Sequence, residues 1–130
     1  MGIAVKLQSY ESVANVLKSG SFDLCLYSVN TAPSGDPQSF LELYFKTGGS
    51  ENYGKYSNTE VDSLIDRLKN EKDTQKRNDI AIDVEKRLLE DNSNIFLVTP
   101  MLNLVSKSNV RGLTMYPVDY YLLNSSVSIK

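Results

Sequence analysis

The 130-residue chain contains no histidine and a single cysteine, Cys25. Without histidine it lacks the commonest general base, the commonest transition-metal ligand and every triad built on an imidazole. One cysteine excludes an internal disulfide. Charge of one sign is also scarce: 14 Lys and Arg face 16 Asp and Glu, a net charge of −2, with the signs interspersed. A protein that binds duplex nucleic acid needs a basic face to displace counterions, so no nucleic-acid partner is expected. No run approaches 18 apolar residues, so no membrane insertion by this segment is expected. Residues 1–6 match neither a secretion signal nor a myristoylation site. What is present is globular: 41% hydrophobic and 23% charged residues, in a length suited to one domain that buries about 65–70% of its unfolded surface.

Hydrophobic periodicity predicts an α/β chain. Residues 3–8 alternate, with Ile3, Val5 and Leu7 on one side, as a strand does. A short helix follows, with Ser9 as its cap, Val13, Val16 and Leu17 as its apolar face and Gly20 as a left-handed terminator. Residues 22–29 are nearly continuously apolar, the mark of a strand buried on both faces. Strand, helix and strand make a βαβ unit. After a loop over 30–37, Asp36 and Pro37 open a helix carrying Phe40, Leu41, Tyr44 and Phe45, which Gly48 and Gly49 stop. Ser57 and Glu60 have capping-box spacing ahead of Val61, Leu64, Ile65 and Leu68. A longer helix over 74–91 turns Ile80, Ala81, Val84 and Leu88 inward. Strands are predicted at 95–98 and 102–106, a turn at 110–112 and an extended tail over 120–129. The expected core includes Ile3, Val5, Leu24, Leu26, Phe96 and Val98.

Few residues point to chemistry. Residues 49–56 nearly spell a phosphate-binding loop, but Tyr56 stands where a Mg²⁺-binding hydroxyl is needed, and the segment follows a helix rather than a strand. Cys25, flanked by Leu24 and Leu26, suits packing better than nucleophilic attack. No nucleophile elbow or calcium-loop spacing occurs, and no cofactor or metal site is expected. The asparagine at 124 sits in a glycosylation-acceptor triplet, a pattern that is common by chance. A small enzyme using paired carboxylates stays open as an alternative, because carboxylates can meet in space without a sequence signature. Two polar loops stand out. Residues 30–36 leave the carboxyl end of a buried strand, where open α/β sheets place ligands. Asn52, Tyr53 and Tyr56 give a second loop amide and phenol groups suited to orienting a polar small molecule.

The run from Lys18 through Leu41, Lys-Ser-Gly-Ser-Phe-Asp-Leu-Cys-Leu-Tyr-Ser-Val-Asn-Thr-Ala-Pro-Ser-Gly-Asp-Pro-Gln-Ser-Phe-Leu, resembles the C-terminal lobe of family 5 extracellular solute-binding proteins. These are the peptide- and nickel-binding receptors of ABC importers. The stretch from Tyr56 to Asp66 resembles the same lobe, as do Arg77 through Asn92 and the Ile-Phe-Leu-Val of 95–98. The resemblance covers essentially the whole chain. It implies a periplasmic-binding-protein type II-like lobe, a mixed sheet with a βαβ start and helices on both faces. It further implies a binding protein rather than an enzyme, one that captures an oligopeptide or a nickel or other metal chelate outside the membrane and delivers it to the transmembrane subunits of an ABC permease. Family members are several times longer. The 130 residues are therefore expected to be one domain excised from a two-lobe receptor, with Met1 added as a start and with the first lobe supplying the rest of the ligand site. The complete protein would be extracellular or periplasmic and held by a lipid anchor.

In peptide-binding members the loop after the second strand carries an aspartate for the peptide ammonium. Alignment on Pro37, Ser39 and Phe40 puts Pro33 there, and Ala32-Pro33 matches the pair found in nickel-type members. With no histidine, direct ligation of a metal by this lobe is not expected, whereas a chelate gripped by hydrogen bonds fits. The expected ligand-binding residues are Asn30, Thr31 and Ser34, held on a loop stiffened by Pro33 and Pro37, with Asn52 and Tyr53 from the second loop. Asp36 is assigned to capping instead.

Overall fold

A computed structural model describes residue 2 and residues 4–32, 35–101, 103–114 and 123–130. The elements in order are α1 (Val13–Ser19), α2 (Gln38–Phe45), α3 (Thr59–Asn70), α4 (Thr74–Glu90), β1 (Val110–Arg111) and β2 (Ser128–Ile129). None of the described helices is long and apolar enough to cross a membrane.

The core is where α2, α3 and α4 meet. Val61, Ile65 and Leu68 recur at i, i+4 and i+7, and Ile80, Val84 and Leu88 at i, i+4 and i+8, so each helix turns one stripe inward. Leu41 and Phe45 of α2 close the cluster, with Phe40, Tyr44, Tyr56, Leu64 and Ala81 packed around it. Phe40 meets Phe45 edge-on at 5.4 Å, a favoured quadrupole geometry. Ion pairs tie the rims. Lys46 pairs with Asp66, Lys69 with Glu42 at 2.8 Å and Arg87 with Glu60 at 2.9 Å. Each pair has a partner open to water, which screens the attraction, so the apolar stripes carry the stability.

The helix ends follow local chemistry, sometimes one residue from where the pattern put them. Gly20 ends α1 at φ 65°, its N–H donating to the Leu17 and Val16 carbonyls, as expected of a left-handed cap. The start of α1 differs: Ser12, not Ser9, stands at the N-cap, and its side chain makes no cap bond. The Asn58 side chain caps α3 by accepting from Glu60 N and Val61 N. Asparagine outcompetes the expected Ser57 because its longer side chain reaches two amides at once, while Ser57 accepts from Thr47 Oγ1 at 3.0 Å. Asp73 caps α4 through Lys76 N.

The expected sheet needs correction. Among the described residues, 4–8, 22–29, 95–98 and 103–106 join no ladder, and the one sheet is the two-residue ribbon β1–β2, antiparallel with Val110 opposite Ile129. Residues 110–111, expected in a turn, are thus a strand, with Gly112 turning after them at φ 75°. Val5, Leu24, Leu26, Phe96 and Val98, expected in the core, are exposed, while Ile3, Leu102 and the tail residues 120–122 lie outside the described residues. The physical reason is that helices satisfy their own backbone and need only a shared apolar face. A strand needs hydrogen-bonded neighbours on its edges as well, and these segments have none.

The central position of Ile65 leads to a direct test. Ile65→Ala leaves a cavity where α2, α3 and α4 converge and is expected to cost about 2–4 kcal/mol, read as a lowered urea midpoint in the helical signal.

Candidate functional site

The two loops lie on either side of α2, one before it and one after. The second is built around Asn52. Its Nδ2 donates to the Lys46 carbonyl at 3.1 Å and the Tyr56 carbonyl at 2.8 Å, and its Oδ1 accepts from Tyr56 N at 2.9 Å. Three of the amide's four bonding directions are therefore used on backbone atoms of the loop and of Lys46 at the end of α2. Gly49 packs so closely on the end of α2 that a Cβ there would overlap the Leu43 carbonyl oxygen. The Glu51 N–H donates to that same carbonyl at 3.0 Å. The loop is thus a rigid cap on α2. At its rim the half-buried Tyr53 donates its hydroxyl to Glu51 Oε2 at 2.8 Å.

The first loop runs into the start of α2. Its far end is held by Asp36, whose Oδ1 accepts from Gln38 N at 2.8 Å, while Oδ2 accepts from Arg77 Nη2 at 2.6 Å and Nε at 3.1 Å. Arg77 also donates to the carbonyls of Leu68 and Glu71, at the α3–α4 corner. Asp36 thus opens α2 as the sequence predicts, with Pro37 rather than Asp36 in the N-cap position, and it carries an ion pair as well. Burial, then the neighbouring Tyr44, Cys25 and Glu51, raise the Tyr27 hydroxyl above its ordinary pKa. The Glu51 hydrogen bond, then burial, raise Tyr53, which also feels Tyr44 and Tyr27. Burial, followed by Glu51, raises Tyr44. The three phenols thus stay protonated at neutral pH, and of these Tyr53 is bonded to Glu51 directly.

The expected site residues take different positions in this frame. Asn30 and Thr31 are exposed, and Asn30 Oδ1 accepts from Ala32 N at 3.3 Å. Ser34, like Pro33, lies outside the described residues. Tyr53 feels the hydroxyl of Tyr27, which precedes the first loop, whereas the Asn52 amide is taken up by backbone atoms around the second loop. Asp36 is at the opposite end of α2, eight residues of helix or about 12 Å away. Tyr27, Tyr44 and Glu51 were not singled out from sequence. Tyr27 read as strand and Tyr44 as helix core, and no spacing rule links them to Glu51. Cys25, expected in the core, is half-buried. A second polar cluster joins the loop to α4: Tyr56 Oη donates to Asp91 Oδ2 at 2.5 Å and Asn58 Nδ2 to the same atom at 2.7 Å. Burial and Asp91 push the Tyr56 hydroxyl up to about 12.

Two outcomes test this frame. Asn52→Ala strands the Lys46 and Tyr56 carbonyls and is expected to cost about 1–2 kcal/mol by chemical denaturation. Burial pushes Asp36 upward, but the Gln38 N–H and Arg77 outweigh it and hold its pKa below the ordinary 3.8. A depressed carboxylate stabilises the fold above its unfolded pKa, and that contribution is lost as pH falls through the folded value. Asp36→Asn should therefore melt lower than the wild type at pH 6, with the gap closing on acidification below pH about 4.

No family model matches the chain. In sequence it is 29% identical to the nickel-binding protein NikA of Staphylococcus aureus over 129 residues, 98% of this chain and 26% of that protein. It is 37% identical to the dipeptide-binding protein DppE of Bacillus subtilis over 87 residues, 65% of this chain and 16% of that protein. In structure it matches the crystal structure of S. aureus NikA in complex with Ni(L-His)2, with a TM-score of 0.77 and 26% identity over 96% of this chain and 27% of that one. That structure has a type II periplasmic-binding-protein fold. The chain spans at most about a quarter of the length of these relatives, and within that span it is homologous to the family 5 extracellular solute-binding proteins.

Proposed function

We propose that the chain is the C-terminal lobe of an ABC-importer solute-binding protein. It would hold an oligopeptide or a nickel or other metal chelate outside the membrane, jointly with a first lobe, and hand it to the permease. The observation that carries this reading is the match along nearly the whole chain to a nickel-chelate-bound receptor, at 26% identity and a TM-score of 0.77. The geometry is consistent with it. A rigid helical base flanks both polar loops, and Tyr53 pairs with Glu51 at the rim of the second. Hydroxyls and amides on a stiff frame suit a polar ligand, because little conformational entropy is lost on binding.

Within this reading Asn30, Thr31 and Ser34 contact the ligand directly. Tyr53 contributes from the second loop, and Asn52 holds that loop in shape. Between the two ligand classes, the Ala32-Pro33 pair and the higher coverage of the nickel-binding relative favour a chelate. With no histidine in the chain, the lobe would grip the chelate's organic part rather than the metal.

Calorimetric titration tests the reading. In the complete receptor containing this chain, Asn30→Ala and Ser34→Ala should each weaken Ni(L-His)2 or dipeptide binding by about 1 kcal/mol, with melting unchanged. The 130-residue chain alone should bind neither ligand with micromolar affinity, because a two-lobe trap divides its contacts. Unchanged affinity in both variants would move the site to another loop. Micromolar binding by the chain alone would count against a shared site.

A further inference from the structure

Two asparagines of the chain precede a serine, Asn92 and Asn124. A short, unbranched residue after asparagine leaves its own backbone nitrogen room to reach the preceding side-chain amide, so both positions are chemically open to the same ring closure. The fold treats them differently. Asn92 ends α4 at φ 51°, and the Ser93 N–H donates to the Leu88 carbonyl at 3.1 Å. That nitrogen is tied to the helix end, and attack by it would break the bond. Asn124 is exposed and starts a turn that Val127 closes, its N–H donating to the Asn124 carbonyl at 3.1 Å. Among the described residues the Ser125 N–H donates to no acceptor. Asn124 Oδ1 accepts from Ser126 N at 2.9 Å and from Ser126 Oγ at 2.5 Å. The Gly112 carbonyl, at 3.1 Å, is the more distant acceptor for that hydroxyl. Two donors on one amide oxygen polarise Cγ and stabilise the negative charge that gathers on Oδ1 when a nucleophile adds, as in an oxyanion hole. Asn30 is the nearest parallel, but its Oδ1 accepts from Ala32 N at a longer 3.3 Å. The residue after it, Thr31, is β-branched and crowds the approach.

We propose that Asn124 is a site of spontaneous deamidation, in which its own turn supplies the nucleophile, Ser125 N, and the oxyanion donors, Ser126 N and Oγ. The Ser125 nitrogen bonds to Cγ, and its proton passes through solvent to Nδ2. The Cγ–Nδ2 bond breaks, and Nδ2 leaves as ammonia. Solvent water then opens the cyclic imide at one of its two carbonyls, giving aspartate or isoaspartate. Neither step needs an oxidant, a reductant or an enzyme. The isoaspartate product adds a methylene to the main chain inside the turn. Gly112 leaves no slack for it, since a Cβ there would overlap the Ser126 carbonyl oxygen. The reaction therefore loosens the ribbon in which Val110 faces Ile129.

The two Asn-Ser pairs are each other's control within the 130-residue chain. After incubation at mildly alkaline pH, peptide mapping by mass spectrometry reads the conversion of amide to acid at each asparagine. Labelling with an isoaspartyl methyltransferase reads the isoaspartate share. In urea, where only the dipeptide counts, the two positions should convert at similar rates. In the folded chain Asn124 should convert about tenfold faster than Asn92. Ser126→Ala should slow conversion at Asn124 several-fold and leave Asn92 unchanged, with the helical circular dichroism intact because Ser126 is exposed. Asn124→Gln, which needs a larger ring, should remove the signal from that peptide. In the isoaspartate fraction the Lys130 amide, which donates to the Asn109 carbonyl at 3.0 Å, should exchange faster. Equal rates at Asn92 and Asn124 in the folded chain would overturn the proposal, as would an Asn124 rate that Ser126→Ala leaves unchanged.

Discussion

Arg77 joins three parts of the chain that the backbone alone leaves independent. Its guanidinium reaches Asp36 ahead of α2, the Leu68 carbonyl near the end of α3 and the Glu71 carbonyl in the α3–α4 turn. The fork geometry of arginine matters here: lysine offers a point charge and would not serve a carboxylate and two carbonyls in one plane. The clamp uses carbonyls that a helix end leaves without partners. It also places the start of α2 against the α3–α4 corner, so the loop before α2 has a defined end. The apolar stripes of the three helices then pack in one register, and the rim ion pairs follow from that register rather than causing it.

The described residues divide into a helical base that closes its own contacts and extended segments that join no ladder. The helical base buries Val61, Ile65, Leu68 and Val84 almost fully and satisfies its own helix ends. The ladder-free segments carry apolar residues of equal hydrophobicity and bury few of them. Helices close their hydrogen bonds locally, and strands close theirs only with partners distant in sequence.

Polar contacts in the second loop show how a loop becomes a structural element. Asn52 substitutes for three backbone partners, and Gly49 allows the chain to pass against the end of α2. Tyr56 and Asn58 then tie the loop to Asp91 at the end of α4. Asp91 sits at a helix C-terminus, where the macrodipole disfavours a carboxylate. Its two hydrogen-bond donors offset this, and they lower its pKa. At the other edge of the loop Tyr53 is bonded to Glu51 and Tyr44 packs on Phe40 and the core.

Much of the helical half was legible from sequence. The spacing of Val61, Leu64, Ile65 and Leu68, the stripe through Ile80, Val84 and Leu88, and the glycine after α1 each act within a few residues. Periodicity and capping chemistry therefore determine them before any tertiary contact forms. The family resemblance was legible too, because it rests on residue order. Burial of Val5, Leu24, Leu26 and Val98 was not, since an apolar strand records a need for partners and says nothing of where the partners are. Likewise no spacing rule connects Asp36 with Arg77, 41 residues apart, or Tyr27 with Glu51. The Asp36–Arg77 pair forms because α2 packs on α3 and α3 on α4, and that packing was decided by the shape of three apolar faces meeting in space.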